Sequence, residues 1–274
     1  MRLLILSAAS FSLVSPAMAQ DAQPNPNRDT ITIGVGGAVV PRYEGSDDYR
    51  LTPAAAIRGK VSGVSFITQG TALFFNVIPT SGGPGTNVSF GPMAHVTLNR
   101  SSLKTVRDPR IAALGRVPVA VEVGGHAGIT RTGVITSVYD ALNVDLAVSH
   151  DVTGTHDSLI ITPSITYGTP LSAKAYVGIY ASANHVGSGY ARTYFGVTPG
   201  QAVASGLTGY TPRAGFKDVN GGLFGSVSLT GDLRRGLSLF GITAYSKLLG
   251  DIGRSPVVTN RSQWFGGAGL AYTF

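Results

Sequence analysis

Apolar and polar residues alternate along most of this chain, and the alternation is clearest at its C-terminal end. Trp264, Leu270, Tyr272 and Phe274 share one face of the last segment, whereas small and polar residues share the other. A period of two predicts a β-strand, because successive side chains of a strand point to opposite faces. An apolar face with aromatic residues at its ends is typical of a transmembrane barrel strand. An edge strand of a soluble sheet would show the same pattern in isolation.

The same alternation recurs in about twelve segments, most of roughly ten residues, separated by turn-forming residues. The predicted strands are 30–40, 49–61, 63–69, 70–78, 86–98, 117–131, 134–151, 157–169, 171–183, 219–230, 236–247 and 262–274. Helical periodicity appears only near 198–207. Asp140 interrupts the apolar face of its segment and is expected near a membrane interface or at a bulge. The fold class predicted is an all-β, antiparallel transmembrane β-barrel of about twelve strands, although counts of ten or fourteen also fit the pattern.

The charged residues of the second predicted strand keep to one face. In the second segment Leu51 and Ile57 share one side, whereas Arg50, Arg58 and Lys60 share the other. One lipid-facing side and one water-filled side would produce this separation. The inward-facing polar side chains are expected to pair across the lumen in a network of Arg50, Arg58, Lys60, His95, Glu122, His126, Asp145 and Lys174.

The connections sort into two length classes, as they do in bacterial barrels with short periplasmic turns and long external loops. With both termini in the periplasm, the short turns lie at 62–63, 78–85, 132–133, 170 and 232–235. The long connections, all external in that arrangement, are 41–48, 99–116, 151–156, 184–218 and 248–261.

The N-terminus reads as a secretory signal followed by a short leader. Residues 1–19 combine Arg2, a short apolar stretch and an Ala17-Met18-Ala19 cleavage pattern, and 20–29 form a polar, proline-containing leader. Residues 30–274 are then the barrel. Outside the N-terminus no apolar run approaches the roughly 18–20 residues of a membrane helix. We therefore expect an exported protein in the outer membrane of a Gram-negative bacterium, in contact with its lipid and lipopolysaccharide.

The amino-acid composition excludes several kinds of site and partner. Charged residues make up 13% of the chain, Gly accounts for 37 of 274 residues, and there is no Cys. The charged share is about half the usual quarter, and without Cys neither a disulfide nor a thiolate site can form. The net charge of +7 is scattered rather than concentrated in a run. A nucleic-acid partner is therefore not expected.

The residues give no sign of catalysis. Neither a G-x-S-x-G elbow nor an H-E-x-x-H helix is present. Glu122 and His126 face the same way on one strand but lie about 13 Å apart at roughly 3.3 Å per residue. Glu44, Asp47 and Asp48 are too few carboxylates for a calcium site of six to eight oxygens. We expect no enzyme activity, no cofactor and no metal.

Several short motifs, kept in one order along the chain, resemble the MipA/OmpV family of Gram-negative outer-membrane proteins. They are Tyr43-Glu44-Gly45-Ser46-Asp47-Asp48-Tyr49, Glu122-Val123-Gly124, Tyr194-Phe195-Gly196-Val197, Ser205-Gly206-Leu207, Leu248-Leu249-Gly250-Asp251 and Ser255-Pro256. The terminal Gly269, Tyr272 and Phe274 also resemble the assembly signal of outer-membrane barrels. The connection 99–116 departs from the family, since it is basic where acidic residues are expected.

The resemblance implies an outer-membrane barrel. One branch of the family is thought to be a scaffold joining a lytic transglycosylase to a murein synthase, and another is associated with osmotic regulation and adhesion. The motifs do not separate these branches. Two hypotheses follow: a non-enzymatic scaffold for periplasmic murein-processing enzymes, or a narrow pore passing small solutes. Conductance would distinguish them, and deletion of residues 20–29 is expected to weaken a periplasmic association.

Overall fold

A computed structural model describes residues 29–79 and 85–274, which form a closed barrel of twelve antiparallel strands. The strands are β1 Thr30–Pro41, β2 Tyr49–Val61, β3 Val64–Gln69, β4 Ala72–Asn76, β5 Thr86–Thr97, β6 Ala120–Thr132, β7 Ala141–Asp151, β8 Leu159–Pro170, β9 Ala175–Val186, β10 Gly215–Ser228, β11 Gly236–Leu248 and β12 Ser262–Thr273. The predicted fold class is confirmed. The predicted signal segment and leader residues 20–28 lie outside the described residues.

Each strand pairs with its sequence neighbours, and β12 closes the barrel by pairing with β1 from Thr32↔Thr273 to Val39↔Gly266. The outer face carries large exposed apolar side chains, such as Val35, which is 61% exposed, and Leu51, which is 76% exposed. In water, exposing such an apolar surface would be unfavourable in free energy. On a transmembrane barrel the same surface is the apolar band that contacts lipid. The alternation therefore separates a lipid face from a lumen.

Three predicted strands begin at least three residues too early, those starting at 117, 134 and 171, and the largest difference is at β7. The segment 134–151 was expected to be extended throughout, but β7 starts only at Ala141 and residues 133–140 form a turn. Asp140 is fully buried there and accepts the backbone N–H groups of Val134 at 2.6 Å and Ile135 at 2.8 Å. A carboxylate that collects several N–H groups stabilises a turn rather than a strand.

Four short helices and one 3₁₀ turn lie in the long connections. They are α1 Pro109–Ala113, α2 Ser188–Phe195, α3 Pro199–Ser205, α4 Gly250–Arg254 and the 3₁₀ turn Leu103–Thr105. Of these, α3 confirms the periodicity near 198–207. It begins with a capping box between Thr198 and Gln201 and ends at Gly206 in the left-handed conformation. None of the helices in the described ranges is long and apolar enough to cross a membrane.

The β3–β4 hairpin is the short part of the wall, with strands of 6 and 5 residues. β2 pairs with β3 only over residues 58–61, and just above them the Thr68 hydroxyl bonds the backbone N–H of Ile57 at 2.9 Å. Among the described residues, the upper part of β2 pairs with β1 alone.

Candidate functional site: the capped lumen

The long connections fold over one end of the barrel as a single structure, which we call the cap: residues 42–48, 98–119, 152–158, 187–214 and 249–261. Helix α2 lies at its centre. Tyr194 and Phe195 are fully buried there and pack with Val186 and Leu248 at the strand ends and with Ile252 of α4. A second cluster, built from Tyr43, Val106, Ile111, Leu114, Val197 and Val257, continues this packing across the remaining loops. The cap closes this end of the lumen.

Residues of the family motifs make contacts that join the cap loops to one another. Ser255 Oγ donates to the backbone carbonyl of Phe195 at 2.6 Å. Thr259 N–H donates to the carbonyl of Gly45 at 2.8 Å. Gly45 has φ 95°, and a Cβ there would press on Val258. Segments that lie 60 and 214 residues apart in sequence therefore touch one another, and their role in this fold is to hold the cap together.

Glu44 reaches from the cap down into the lumen. Its carboxylate accepts hydrogen bonds from Lys217 Nζ at 2.9 Å and from Tyr190 Oη at 3.1 Å. Lys217 also pairs with Asp218 at 3.2 Å, and Asp218 accepts the side-chain amide of Asn184 at 2.7 Å. Burial raises the pKa of Tyr190 well above its usual value, so this phenol is a neutral donor. The arrangement is a charged hub that anchors α2 to the wall.

A second polar group surrounds Glu122, whose side chain is fully buried. Thr97 donates to it at 2.7 Å, His156 Nε2 lies 3.0 Å away and His95 Nδ1 lies 3.3 Å away. The His156 ring meets Tyr190 edge-on at 5.0 Å. Glu122 thus links two strands of the wall to the cap.

A third polar group lies on β6 and β7. His126 Nδ1 lies 2.9 Å from Asp145 Oδ2, and its Nε2 lies 3.0 Å from the Phe75 carbonyl. Glu122 and His126 have different hydrogen-bond partners. The predicted lumen network is therefore present as separate groups rather than as one network.

The other residues predicted for the lumen network lie in different parts of the structure. Arg58 and Lys60 line the lumen near the short-turn end, and Arg58 Nε lies 3.5 Å from the Thr32 hydroxyl. Arg50 is half-buried at the cap end of β2 and does not line the central cavity. The prediction for Lys174 was wrong: it lies exposed in the turn between β8 and β9. β9 starts one residue later, and a turn residue need not keep the strand's inward direction.

The three acidic side chains of the first motif point in different directions and have different partners. Glu44 points into the lumen, Asp47 accepts the Thr259 hydroxyl at 3.1 Å, and Asp48 pairs with Arg42 at 2.7 Å. Within residues 29–79 and 85–274, no group of three or more His, Asp or Glu side chains is arranged to hold a metal ion.

Below the cap lies a cavity of about 1380 Å³. It extends from Glu44 and Lys217 under the cap to Thr30 and Arg235 at the short-turn end. One side of it, formed by β6, β7 and β8, is rich in hydroxyl and amide groups. The other side carries aromatic and aliphatic residues, among them Phe74, Tyr180, Phe224, Ile242 and Phe265.

Sequence reasoning missed much of this site. Tyr176 and Tyr180 could have been found, because they alternate with the outward Val177 and Ile179 on the same strand. Lys217 could not, since the alternation within β10 becomes regular only after it and a bulge follows Phe216. The burial of α2 has no local signal, because the groups that cover it come from distant parts of the chain.

A family model described as MipA, MltA-interacting protein MipA, matches residues 33–274. No curated protein matches the sequence. Similar solved structures include the COG4313 outer membrane channel from Pseudomonas putida F1, at 10% identity and TM-score 0.44, covering 93% of this chain and 100% of that one. An anion-selective porin from Comamonas acidovorans shows 9% identity and TM-score 0.34, covering 90% and 99%. At these identities the likeness concerns the barrel fold alone.

Proposed function

Because the chain belongs to the MltA-interacting protein MipA family and is an outer-membrane β-barrel, we propose that it is a non-conducting, non-enzymatic scaffold. Its partner would be a lytic transglycosylase, the enzyme to which the family description refers, with a murein synthase as a further partner. The barrel would hold such an enzyme at the periplasmic face of the outer membrane.

The observation that supports this proposal best is the cap. A pore needs a continuous aqueous path, whereas here Tyr194, Phe195 and Ile252 fill the external end with side chains that are at most 1% exposed. Opening that end would expose buried aromatic surface, at a cost of about 1.5–3 kcal/mol for each large side chain. A barrel closed in this way is suited to holding a partner.

The short-turn end offers a firm surface for that partner. Ile135 is 71% exposed and Leu171 67% exposed, and both lie in turns. Asp140 fixes the first turn, and Thr136 Oγ1 lies 2.7 Å from the Tyr167 hydroxyl, which ties that turn to β8. Exposed apolar residues on a rigid support are typical of protein contact sites. We propose that Ile135 and Leu171 contact the enzyme.

Binding can be measured directly with the purified barrel in detergent, immobilised, and the lytic transglycosylase of the same bacterium in solution. We expect saturable binding that falls at least tenfold in I135D/L171D. Val203→Asp is the matched control, because Val203 is 89% exposed but lies in the cap. No binding to the wild-type barrel would overturn the scaffold proposal. Equal binding by I135D/L171D would overturn the assigned contact surface, and deletion of residues 20–29 would then test the leader.

A narrow pore is the alternative function, and the polar half of the central cavity favours it. Planar bilayer recordings of the refolded barrel test it: we expect no stepwise conductance. Regular steps from the wild-type protein would replace the scaffold proposal by the pore. Incubation with purified murein tests the absence of catalysis, since release of soluble fragments by the barrel alone would contradict it.

A further inference from the structure

Arg100 is a cation that lies inside the cap rather than on its surface. It follows β5 in the connection 98–119, and only 3% of it is exposed. Its backbone lies in the left-handed region at φ 53°, and its carbonyl accepts the N–H of Val117 at 3.2 Å. The side chain extends to α2, where Nη2 donates to the carbonyl of Thr193 at 3.0 Å. One buried guanidinium thus joins two segments of the cap.

This guanidinium has donors that bond nothing in the described part of the chain. It carries five N–H groups, and its Nε and Nη1 atoms are buried without a hydrogen-bond partner among the described residues. None of the described carboxylates lies within ion-pair distance of it. Burial lowers the pKa of Arg100, but a guanidinium starts from a value above about 12 and stays charged at neutral pH. A buried positive charge therefore lacks a negative partner among the residues described.

The groups around Arg100 do not supply the missing charge. The phenols of Tyr194 and Tyr43 act on it electrostatically, but burial raises the pKa of both, so each phenol is neutral. The Thr193 carbonyl belongs to the last turn of α2, and a helix end carries only about half an elementary charge. Ordered water would bond the free N–H groups without adding negative charge. Because a buried ion without a counter-charge is unfavourable, the arrangement favours an anion from solution at this place.

A second buried donor without a described partner lies on the same turn of α2. Tyr194 is fully buried, and its hydroxyl bonds none of the described residues. A neutral phenol is able to donate its proton to an anion. The carboxylates of Glu44, Glu122 and Asp151 also act electrostatically on Tyr194. Each of them is bonded to donors of its own, and none of them shifts the pKa of Arg100.

From these observations we propose that the cap binds a single small inorganic anion, of which chloride is the simplest, through the Arg100 guanidinium and the Tyr194 hydroxyl. Both residues are enclosed, so the anion enters only when the cap opens and is held when the cap closes. A lipid phosphate or a peptide carboxylate is too large to be enclosed there. Since a ligand that binds only the closed form stabilises that form by mass action, chloride is expected to stabilise the cap. The proposal does not depend on a protein partner.

Equilibrium dialysis against radioactive chloride tests for this site. The purified barrel is held in neutral detergent, and sodium gluconate keeps the ionic strength constant, so that general screening does not change during the titration. We expect saturable binding of a single chloride per chain. Bromide should displace the bound chloride, whereas gluconate should not, because its size excludes it from an enclosed site.

Substitutions assign the site to its residues. Arg100→Gln should weaken chloride binding at least tenfold, because the amide removes the positive charge. Arg116→Gln is the matched control, since it removes an exposed positive charge from the same connection and should leave the affinity unchanged. Tyr194→Phe should weaken binding about threefold through the loss of one hydroxyl donor. Heat-modifiable gel migration shows whether each variant has folded.

Absence of saturable binding to the wild-type barrel would overturn the proposal, because water alone would then bond the Arg100 N–H groups. Equal affinity of R100Q and the wild type would overturn the location, and equal affinity of Y194F would remove Tyr194 from the site. If R100Q does not fold, hydrogen exchange of α2 in the wild-type protein replaces it. Exchange should be slower in chloride than in gluconate at equal ionic strength, and equal exchange in the two salts would contradict the proposal.

Discussion

The two ends of this barrel are stabilised in different ways. At the cap end, four of the five connections share common apolar clusters, and charged contacts such as that of Glu44 with Lys217 join parts of the chain that are 173 residues apart. At the short-turn end, each turn is bonded within itself and to one neighbouring element: Asp140 accepts the Val134 N–H, Thr136 bonds Tyr167 of β8, and the Leu233 N–H donates to the Ala173 carbonyl. The cap is therefore expected to open as one unit, whereas each turn is expected to respond alone.

The comparison also explains where the family motifs lie. Apart from Glu122-Val123-Gly124 on β6 and the terminal assembly signal, they lie in the cap or at the strand ends beside it, and several of them contact each other there. A motif can therefore be a structural requirement for closing the lumen rather than a mark of a binding site. The contact surface proposed for the partner enzyme lies at the other end, which carries the terminal assembly signal but none of the cap motifs.

The largest effect is expected from Phe195→Ala. Removing a fully buried aromatic ring costs about 3–5 kcal/mol, and the loss should appear as faster hydrogen exchange across the whole cap rather than in α2 alone. Val203→Ala, at an exposed position of α3, should leave exchange unchanged. Faster exchange confined to residues 188–195 would show that the cap is not one unit. Stepwise conductance in F195A would show in addition that the cap is the closure.

Glu44→Ala should have the next largest effect. It removes the acceptor of Lys217 and Tyr190, and hydrogen bonds to charged groups contribute about 1.5–3 kcal/mol. Because Lys217 keeps Asp218, the loss should stay below that of F195A. Exchange should rise both at α2 and at the 42–48 loop. Asp47→Ala, which removes one exposed hydrogen bond accepted from the Thr259 hydroxyl, is the control. Equal effects of the two variants would contradict the assignment of Glu44 as a hub.

Asp140→Ala tests the other end. The Val134 and Ile135 N–H groups would lose their acceptor, at about 1–3 kcal/mol in all. Exchange should rise within 133–141 only, and the cap should be unaffected. Asp232→Ala, which removes a single N–H bond to Arg234, should change its own turn less. A response of the cap to D140A would mean that the two ends are coupled through the wall.

The smallest expected effect is that of acid on the α4 segment of the cap. The Arg213 and Arg254 side chains lower the pKa of Asp251 to about 2. A depressed pKa gives stability that is present above the ordinary value of about 3.9 and is lost as the pH falls through about 2. Pepsin cleavage near 249–254 should therefore accelerate between pH 4 and pH 2, and 1 M salt should weaken the pairs at neutral pH. Asp251→Asn should remove the pH dependence of this cleavage.

The sequence is enough to predict which faces of the wall strands meet lipid, but it is not enough to predict how the cap packs. Alternation predicts which face of a strand meets lipid, so Leu51, Ile129 and Trp264 could be placed outward without any structure. It fails where the backbone turns, as at Lys174 and at the residues before Ala141. The Glu44–Lys217 contact is decided by tertiary packing, and nothing in the neighbourhood of either residue indicates it.

The short β3–β4 hairpin has a consequence for the surrounding lipid. Five or six residues at about 3.3 Å each span roughly 16–20 Å, less than the apolar band of about 25 Å that barrels usually present. Lipid beside the hairpin is therefore expected to thin locally, as it does around a short hydrophobic segment. Above the hairpin β2 includes Pro53, which has no N–H to donate to a neighbouring strand. This sector would give the barrel a preferred side within the plane of the membrane.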